Sequence, residues 1–120
     1  MQKKWMRVAV LTAMIFLVSQ AKLVLAQDAP QRIVITAKKF SFSPGEITLK
    51  KGQPVIFVLK SGDVAHGLSF RDFNVNIKVG AGKTIEARFT PDKVGDFVGH
   101  CSVFCGSGHG SMTIKLHVVG

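Results

Sequence analysis

Hydrophobic residues recur at every second position from residue 33 onward, in short runs separated by turn residues. Such alternation is typical of β-strands that bury one face. The runs with this pattern span residues 33–37, 47–49, 66–70, 75–79, 85–89, 97–101 and 112–118. Residues 55–59 are apolar on both faces, which predicts a central strand, and no segment of this region has useful helical periodicity. The pattern therefore predicts an all-β fold, a Greek-key antiparallel β-sandwich of about eight strands.

The first 26 residues have a different pattern. A short basic stretch (residues 1–7) precedes the apolar run 8–18, and small residues follow at positions 24–26. This order predicts a signal peptide over residues 1–26 and a single domain over residues 27–120. The alternative is a short membrane anchor, although the apolar run is shorter than the roughly 20 residues that span a bilayer. Both interpretations place the domain in the periplasm or otherwise outside the cytoplasm.

The net charge of the chain indicates which kinds of binding partner are compatible with it. The chain of 120 residues has a formal net charge of +9. Four of the basic residues lie in the leader, so that the remainder keeps 12 basic and 7 acidic residues. A moderately basic domain suits an acidic protein partner or an anionic membrane. No basic run exceeds two residues and no aromatic side chains alternate with basic ones, which argues against nucleic-acid binding.

The segment 101–112 (CSVFCGSGHGSM) concentrates the residues with metal-binding chemistry. Cys101, Cys105, His109 and Met112 lie in a Gly/Ser-rich loop that predicts tight turns and converging side chains. Sulfur and imidazole ligands together are typical of copper, zinc and iron–sulfur sites. A further strong ligand must come from elsewhere, and we expect it to be His66, which begins a strand in phase with inward-facing residues.

The residue types by themselves are compatible with several kinds of site. Cys101 and Cys105 in an exported protein could form a disulfide. Two cysteines and two histidines could hold a structural zinc ion. A mononuclear blue-copper site would need only one cysteine, two histidines and Met112. Asp63 is expected to hydrogen-bond within the loop before His66 and fix that ring.

The spacing C-S-x-x-C-G-x-x-H-x-x-M, with D-V-x-H upstream, is similar to the binuclear copper (CuA) domain of cytochrome c oxidase subunit II. The likeness runs over roughly residues 31–120 and implies a cupredoxin fold. It also implies that two copper ions are bridged by the thiolates of Cys101 and Cys105. His66 and His109 would each bind one copper, with Met112 and the backbone carbonyl of Val103 as weak ligands.

The resemblance implies single-electron transfer with a redox partner such as a cytochrome or a terminal oxidase. We find no nucleophile–base pair or carboxylate dyad, so the chain is expected to be an electron-transfer protein with no catalysis of its own. Two other functions stay open, namely a copper-delivery module and a subunit that acts only within an oxidase. His100 and His117 are expected to be peripheral.

Overall fold

The computed structural model, which describes residues 29–120, has nine β-strands where the sequence predicted about eight. In chain order they are β1 (Gln31–Lys38), β2 (Ser41–Ser43), β3 (Glu46–Lys50), β4 (Val55–Ser61), β5 (His66–Phe70), β6 (Val75–Val79), β7 (Thr84–Phe89), β8 (Gly95–His100) and β9 (Thr113–Val119). Two short 3₁₀ turns lie at Arg71–Phe73 and His109–Ser111. Among these residues no helix is long and apolar enough to cross a bilayer. The signal peptide or short anchor predicted over residues 1–26 lies outside the described residues.

The strands form two sheets that pack face to face. One has the order β2-β1-β4-β7 and the other the order β3-β9-β8-β5-β6. The predicted all-β sandwich is therefore confirmed. Two of the strand pairs are parallel, however, where the sequence predicted antiparallel pairing throughout: β1 with β4, and β3 with β9. The chain leaves the first sheet for β3 in the second sheet before it returns as β4, so β4 runs in the same direction as β1.

The core lies between the sheets and consists of the inward positions of the alternating runs. Phe57, Leu59, Leu68, Phe70 and Leu116 are completely buried. Burial of each such side chain contributes about 1.5–3 kcal/mol. Aromatic rings contact one another in this core: the centroid of Phe57 lies 6.1 Å from that of Phe70 and 5.0 Å from that of Phe89. Residues 55–59 are all buried, as predicted for a central strand, and β4 lies between β1 and β7.

Three strand ends of the second sheet meet at one end of the sandwich. β8 pairs in antiparallel orientation with both β5 and β9. Its last residue, His100, lies opposite Thr113 at the beginning of β9 and opposite Ser69 of β5, so the chain after His100 continues toward His66. The connection from β8 to β9 is the 101–112 loop. Its base is closed by a hydrogen bond from the N–H of Cys101 to the carbonyl of Met112, with an N···O distance of 3.1 Å. Residues distant in sequence are thereby brought to one place.

Candidate metal centre

The two cysteine sulfurs lie at the middle of the site. The Sγ atoms of Cys101 and Cys105 are 3.6 Å apart, both side chains are buried, and both thiols are free. A disulfide has an S–S distance of about 2.05 Å, so the geometry is that of two separate thiols. The disulfide alternative is therefore not the arrangement observed. Two sulfurs at about 2.3 Å from one metal ion in tetrahedral geometry are roughly 3.8 Å apart, which agrees with the observed spacing.

Each sulfur has one imidazole nitrogen beside it. Nδ1 of His66 lies 3.9 Å from Sγ of Cys101, and Nδ1 of His109 lies 3.7 Å from Sγ of Cys105. A sulfur and a nitrogen bound to the same metal ion at a tetrahedral angle are roughly 3.5 Å apart. The ligand atoms of His66, Cys101 and Cys105 all lie within 4.8 Å of one another. The strong donors therefore form a continuous row from one histidine to the other.

Each sulfur also has one weaker donor within reach. The carbonyl oxygen of Val103 is 3.2 Å from Sγ of Cys101, and Sδ of Met112 is 3.8 Å from Sγ of Cys105. The structure thus brings together all six residues predicted from the sequence. Thiolate, thioether and imidazole groups are the donors that proteins use for copper, and hard ions such as Mg²⁺ prefer oxygen. The donor chemistry and the spacing fit copper.

The orientation of His66 is set by Asp63, as the sequence predicted. Nε2 of the buried His66 ring lies 2.6 Å from Oδ1 of Asp63, so Nδ1 is the nitrogen that faces the sulfurs. The carboxylate is held in turn by the backbone N–H of Lys39, at 2.8 Å, and by that of Val64, at 2.7 Å. These hydrogen bonds lower the pKa of Asp63 to about 2, with the Lys39 N–H as the largest cause and the His66 ring next. Asp63 is therefore a carboxylate at neutral pH.

The pKa of the Cys105 thiol is raised, in contrast to that of Asp63. Removal from water, the largest cause, and the neighbouring Cys101 together raise its pKa to about 11. A group of this kind is a neutral thiol at neutral pH, and it binds a metal ion as the thiolate. Metal binding must therefore release a proton from this sulfur.

The 101–112 loop packs closely on two neighbours that the sequence analysis did not identify. A Cβ atom on Gly67 would overlap with Oγ of Ser102 and lie 3.1 Å from Cγ2 of Val103, so only glycine allows this approach. The ring of Phe40 lies under the other side of the loop, 2.5 Å from the position of a Cβ on Gly108. Gly67 could have been identified from the sequence because it follows His66 directly. Phe40 could not, because no local sequence pattern connects it with a loop that begins 61 residues later.

One edge of the centre reaches the surface. His109 is partly buried, and its ring centroid lies 5.6 Å from that of Phe104, whose side chain is 79% exposed. A groove of about 750 Å³ has Cys101 and His109 in its lining, together with His100. His100 is exposed, while His117 lies away from the centre and bonds to Asp96. Both residues are peripheral to the sulfur cluster, as predicted.

Comparison with known proteins agrees with this fold and site. The family model described as a cupredoxin-like domain matches residues 7–114. The chain is 30% identical over 90 residues to cytochrome c oxidase subunit 2 of Thermus thermophilus, a match covering 73% of this chain and 67% of the relative. It is 34% identical over 90 residues to nitrous-oxide reductase of Cupriavidus necator, covering 72% of this chain and 14% of that much longer protein.

A solved structure supports the fold. The periplasmic domain of cytochrome oxidase subunit II from Bradyrhizobium japonicum superimposes with a TM-score of 0.69 at 24% sequence identity. The match covers 76% of this chain and 85% of that domain. The chain therefore belongs to the cupredoxin-like domain family and is homologous to cytochrome c oxidase subunit 2.

Proposed function

We propose that this chain is an exported electron-transfer protein with a binuclear CuA-type copper centre. Cys101 and Cys105 would bridge the two ions as thiolates, and His66 and His109 would each bind one ion. Met112 and the carbonyl of Val103 would be the weak ligands. The domain would transfer one electron at a time in or near a respiratory chain, with no chemical catalysis of its own.

One observation carries the proposal: two free sulfurs 3.6 Å apart, each with its own imidazole nitrogen and its own weak donor. A mononuclear site uses one cysteine and leaves the second unexplained. A structural zinc site uses both cysteines and both histidines but has no need of a thioether, whereas Sδ of Met112 lies 3.8 Å from Sγ of Cys105. Two metal ions bridged by two thiolates use every donor present.

The surrounding residues supply what such a centre needs. A pair of copper ions that shares one unpaired electron through bridging thiolates changes its bond lengths little on reduction. Asp63 holds His66 in one orientation, and Met112 and His66 are fully buried against the core. The buried shell limits the access of water to the sulfurs, and polarity around a metal site tunes its potential. The 101–112 loop packs against Gly67 on one side and against Phe40 on the other.

The relatives support a respiratory role. One is named as a subunit of cytochrome c oxidase, and another as nitrous-oxide reductase. The match covers 67% of the first protein and 14% of the second, so it corresponds to one domain of each. We infer that its partner is a redox protein such as a cytochrome or a terminal oxidase. The solved relative is a periplasmic domain, which supports a periplasmic location.

Electron paramagnetic resonance of the copper-loaded full chain tests the proposal. We expect two coppers per chain and a hyperfine pattern from one electron shared equally over two copper nuclei. A pattern from a single nucleus, at one copper per chain, would instead establish a blue-copper site. A protein that binds zinc in preference to copper and has no signal would contradict both copper sites. Loss of copper on each reduction would favour the copper-delivery function, since an electron carrier must keep its metal in both states.

A further inference from the structure

Four exposed lysines surround the turn that leads into β5, immediately before His66. We call them the lysine rim: Lys38, Lys39, Lys60 and Lys83. They come from three separate parts of the chain, at the end of β1, at the end of β4 and before β7. Their grouping is therefore a consequence of the fold and not of a basic run in the sequence.

Backbone and side-chain contacts place the rim on one small area. The N–H of Ser61 donates to the carbonyl of Lys83 at 2.9 Å. The N–H of Gly62 donates to the carbonyl of Ala37 at 2.9 Å, next to Lys38. The Lys38 side chain lies across this turn, since a Cβ atom on Gly62 would be 2.7 Å from its Cε.

The positive charge of the rim is not neutralised by neighbouring acids. Within residues 29–120, the ion pairs involve none of the four lysines. Asp63 is the carboxylate in this turn, and its oxygens accept hydrogen bonds from the N–H groups of Lys39 and Val64 and from His66. The rim therefore presents a net positive surface to the solvent.

The rim also lies directly above a short path to the sulfurs. The N–H of Lys39 bonds to Asp63, Asp63 bonds to Nε2 of His66, and Nδ1 of His66 lies 3.9 Å from Sγ of Cys101. A protein docked on the rim would be separated from the centre by one carboxylate and one imidazole. Hydrogen bonds would connect the rim to His66.

We propose, on the basis of the electron-transfer function above, that the lysine rim is the docking surface for an acidic redox protein. Charge complementarity selects the partner, and electrons cross through Asp63 and His66. In each encounter one electron moves from the reduced member of the pair to the oxidised member, with no bond formed and no proton transferred. Association is steered by charge, so the rate falls as ionic strength rises.

The opposite end of the sandwich provides a matched control. Lys50 and Lys51 are also exposed and adjacent in the chain. The N–H of Lys51 bonds to the carbonyl of Val119 at 2.8 Å, at the end of β9 remote from Met112. Reversal of two charges there changes the net charge as much as reversal of two charges in the rim. A non-specific effect of net charge is thus separated from docking.

The experiment uses the copper-loaded full chain on gold electrodes coated with a carboxylate-terminated monolayer, which serves as the acidic partner. Copper content and the paramagnetic spectrum are measured first for every variant. We expect Lys60→Glu/Lys83→Glu to lower the interfacial electron-transfer rate about tenfold or more, and Lys50→Glu/Lys51→Glu to change it less than about twofold. The wild-type rate should fall as the Debye length shortens from about 30 Å at 0.01 M to about 8 Å at 0.15 M salt.

Two results would overturn the docking surface while the copper centre stands. One is an equal loss of rate in the rim variant and in the control variant. The other is a loss in Phe104→Ala with none in the rim variant, which would place docking over the exposed His109 edge. A wild-type protein without a shared-electron spectrum would instead overturn the proposed function, and the docking proposal with it.

Discussion

The imidazole of His66 contacts Asp63 through one nitrogen, with Nε2 2.6 Å from Oδ1, and faces the sulfur of Cys101 through the other. The carboxylate is itself fixed by two backbone N–H groups. The ring therefore cannot rotate without breaking a hydrogen bond, and the proton is kept on Nε2. The lone pair on Nδ1 is left directed toward the site of the metal ion.

Replacement of Asp63 should weaken copper binding more than it weakens the fold. We expect Asp63→Ala to lower copper affinity about 10–100-fold, because loss of such a partner leaves a ligating histidine free to reorient. Asp63→Asn keeps one acceptor oxygen and should have a smaller effect. Competition with a Cu(I) chelator measures the affinity, and urea unfolding of the metal-free protein measures the fold. Exposed Asp92, replaced by asparagine, is the control; an affinity equal to that of wild type in Asp63→Ala would show that the contact has no positioning role.

The two cysteines should be equally necessary. In a bridged pair each thiolate binds both ions, so Cys101→Ser and Cys105→Ser should each abolish the shared-electron spectrum. In a mononuclear blue-copper site, Cys101→Ser would keep the blue absorption band, because Cys105, His109 and Met112 would still be present. Optical and paramagnetic spectra of the two copper-loaded variants distinguish these outcomes.

The close approach of Gly67 to the 101–112 loop predicts that a larger side chain at this position lowers the stability of the fold. A methyl group in Gly67→Ala would overlap with Oγ of Ser102, which donates a hydrogen bond to Asn76 at 2.8 Å. Overpacking of this kind costs about 1–3 kcal/mol, so the free energy of unfolding should fall by that amount.

The double variant Gly67→Ala/Ser102→Ala tests the cause of this loss. It removes the overlapping oxygen atom and should recover part of the lost stability, whereas Ser102→Ala alone serves as the reference for the missing hydrogen bond. Chemical denaturation of the metal-free proteins measures all three. A double variant no more stable than Gly67→Ala would mean that the overlap is not the source of the loss.

His117 should make stability depend on pH near neutrality. Nδ1 of its ring lies 2.5 Å from Oδ1 of Asp96 on β8, and Nε2 lies 3.7 Å from Glu46 on β3, which Lys115 also approaches. The hydrogen bond to Asp96 is the largest cause of a raised pKa for His117. Because this pKa is higher in the folded state, protonated His117 contributes its full stabilisation at pH values below its pKa in the unfolded chain, about 6.5. It is lost as the pH rises through the folded-state pKa.

The test compares wild type with His117→Gln in urea unfolding over a series of pH values. The difference in the free energy of unfolding should be largest near about pH 6 and should shrink as the solution becomes alkaline. Asp96→Asn should remove most of this dependence, since it removes the main partner of the protonated ring. A difference that grows with rising pH would contradict the assignment.

Much of this protein could be predicted from local pattern. Alternation with a period of two specifies which face of each strand is buried, and it identified the strands that contain Leu68, Ile77 and Leu116. The spacing within residues 101–112 identified four of the site residues because they belong to one loop. Strand β2 (Ser41–Ser43) was not predicted, since three residues are too few for an alternating pattern to appear.

Only the tertiary structure decided how these parts are placed relative to one another. The direction of β4 beside β1, the approach of Gly67 to Ser102, the position of Phe40 under the 101–112 loop and the grouping of the lysine rim all join distant segments. Hydrophobic alternation indicates which side of a strand is buried. It does not indicate which other strand pairs with it in the sheet. Which strands and loops lie next to one another is determined by packing between the sheets, and this packing depends on the whole chain. The sequence by itself therefore determined the chemistry of the site, and the fold determined what surrounds it.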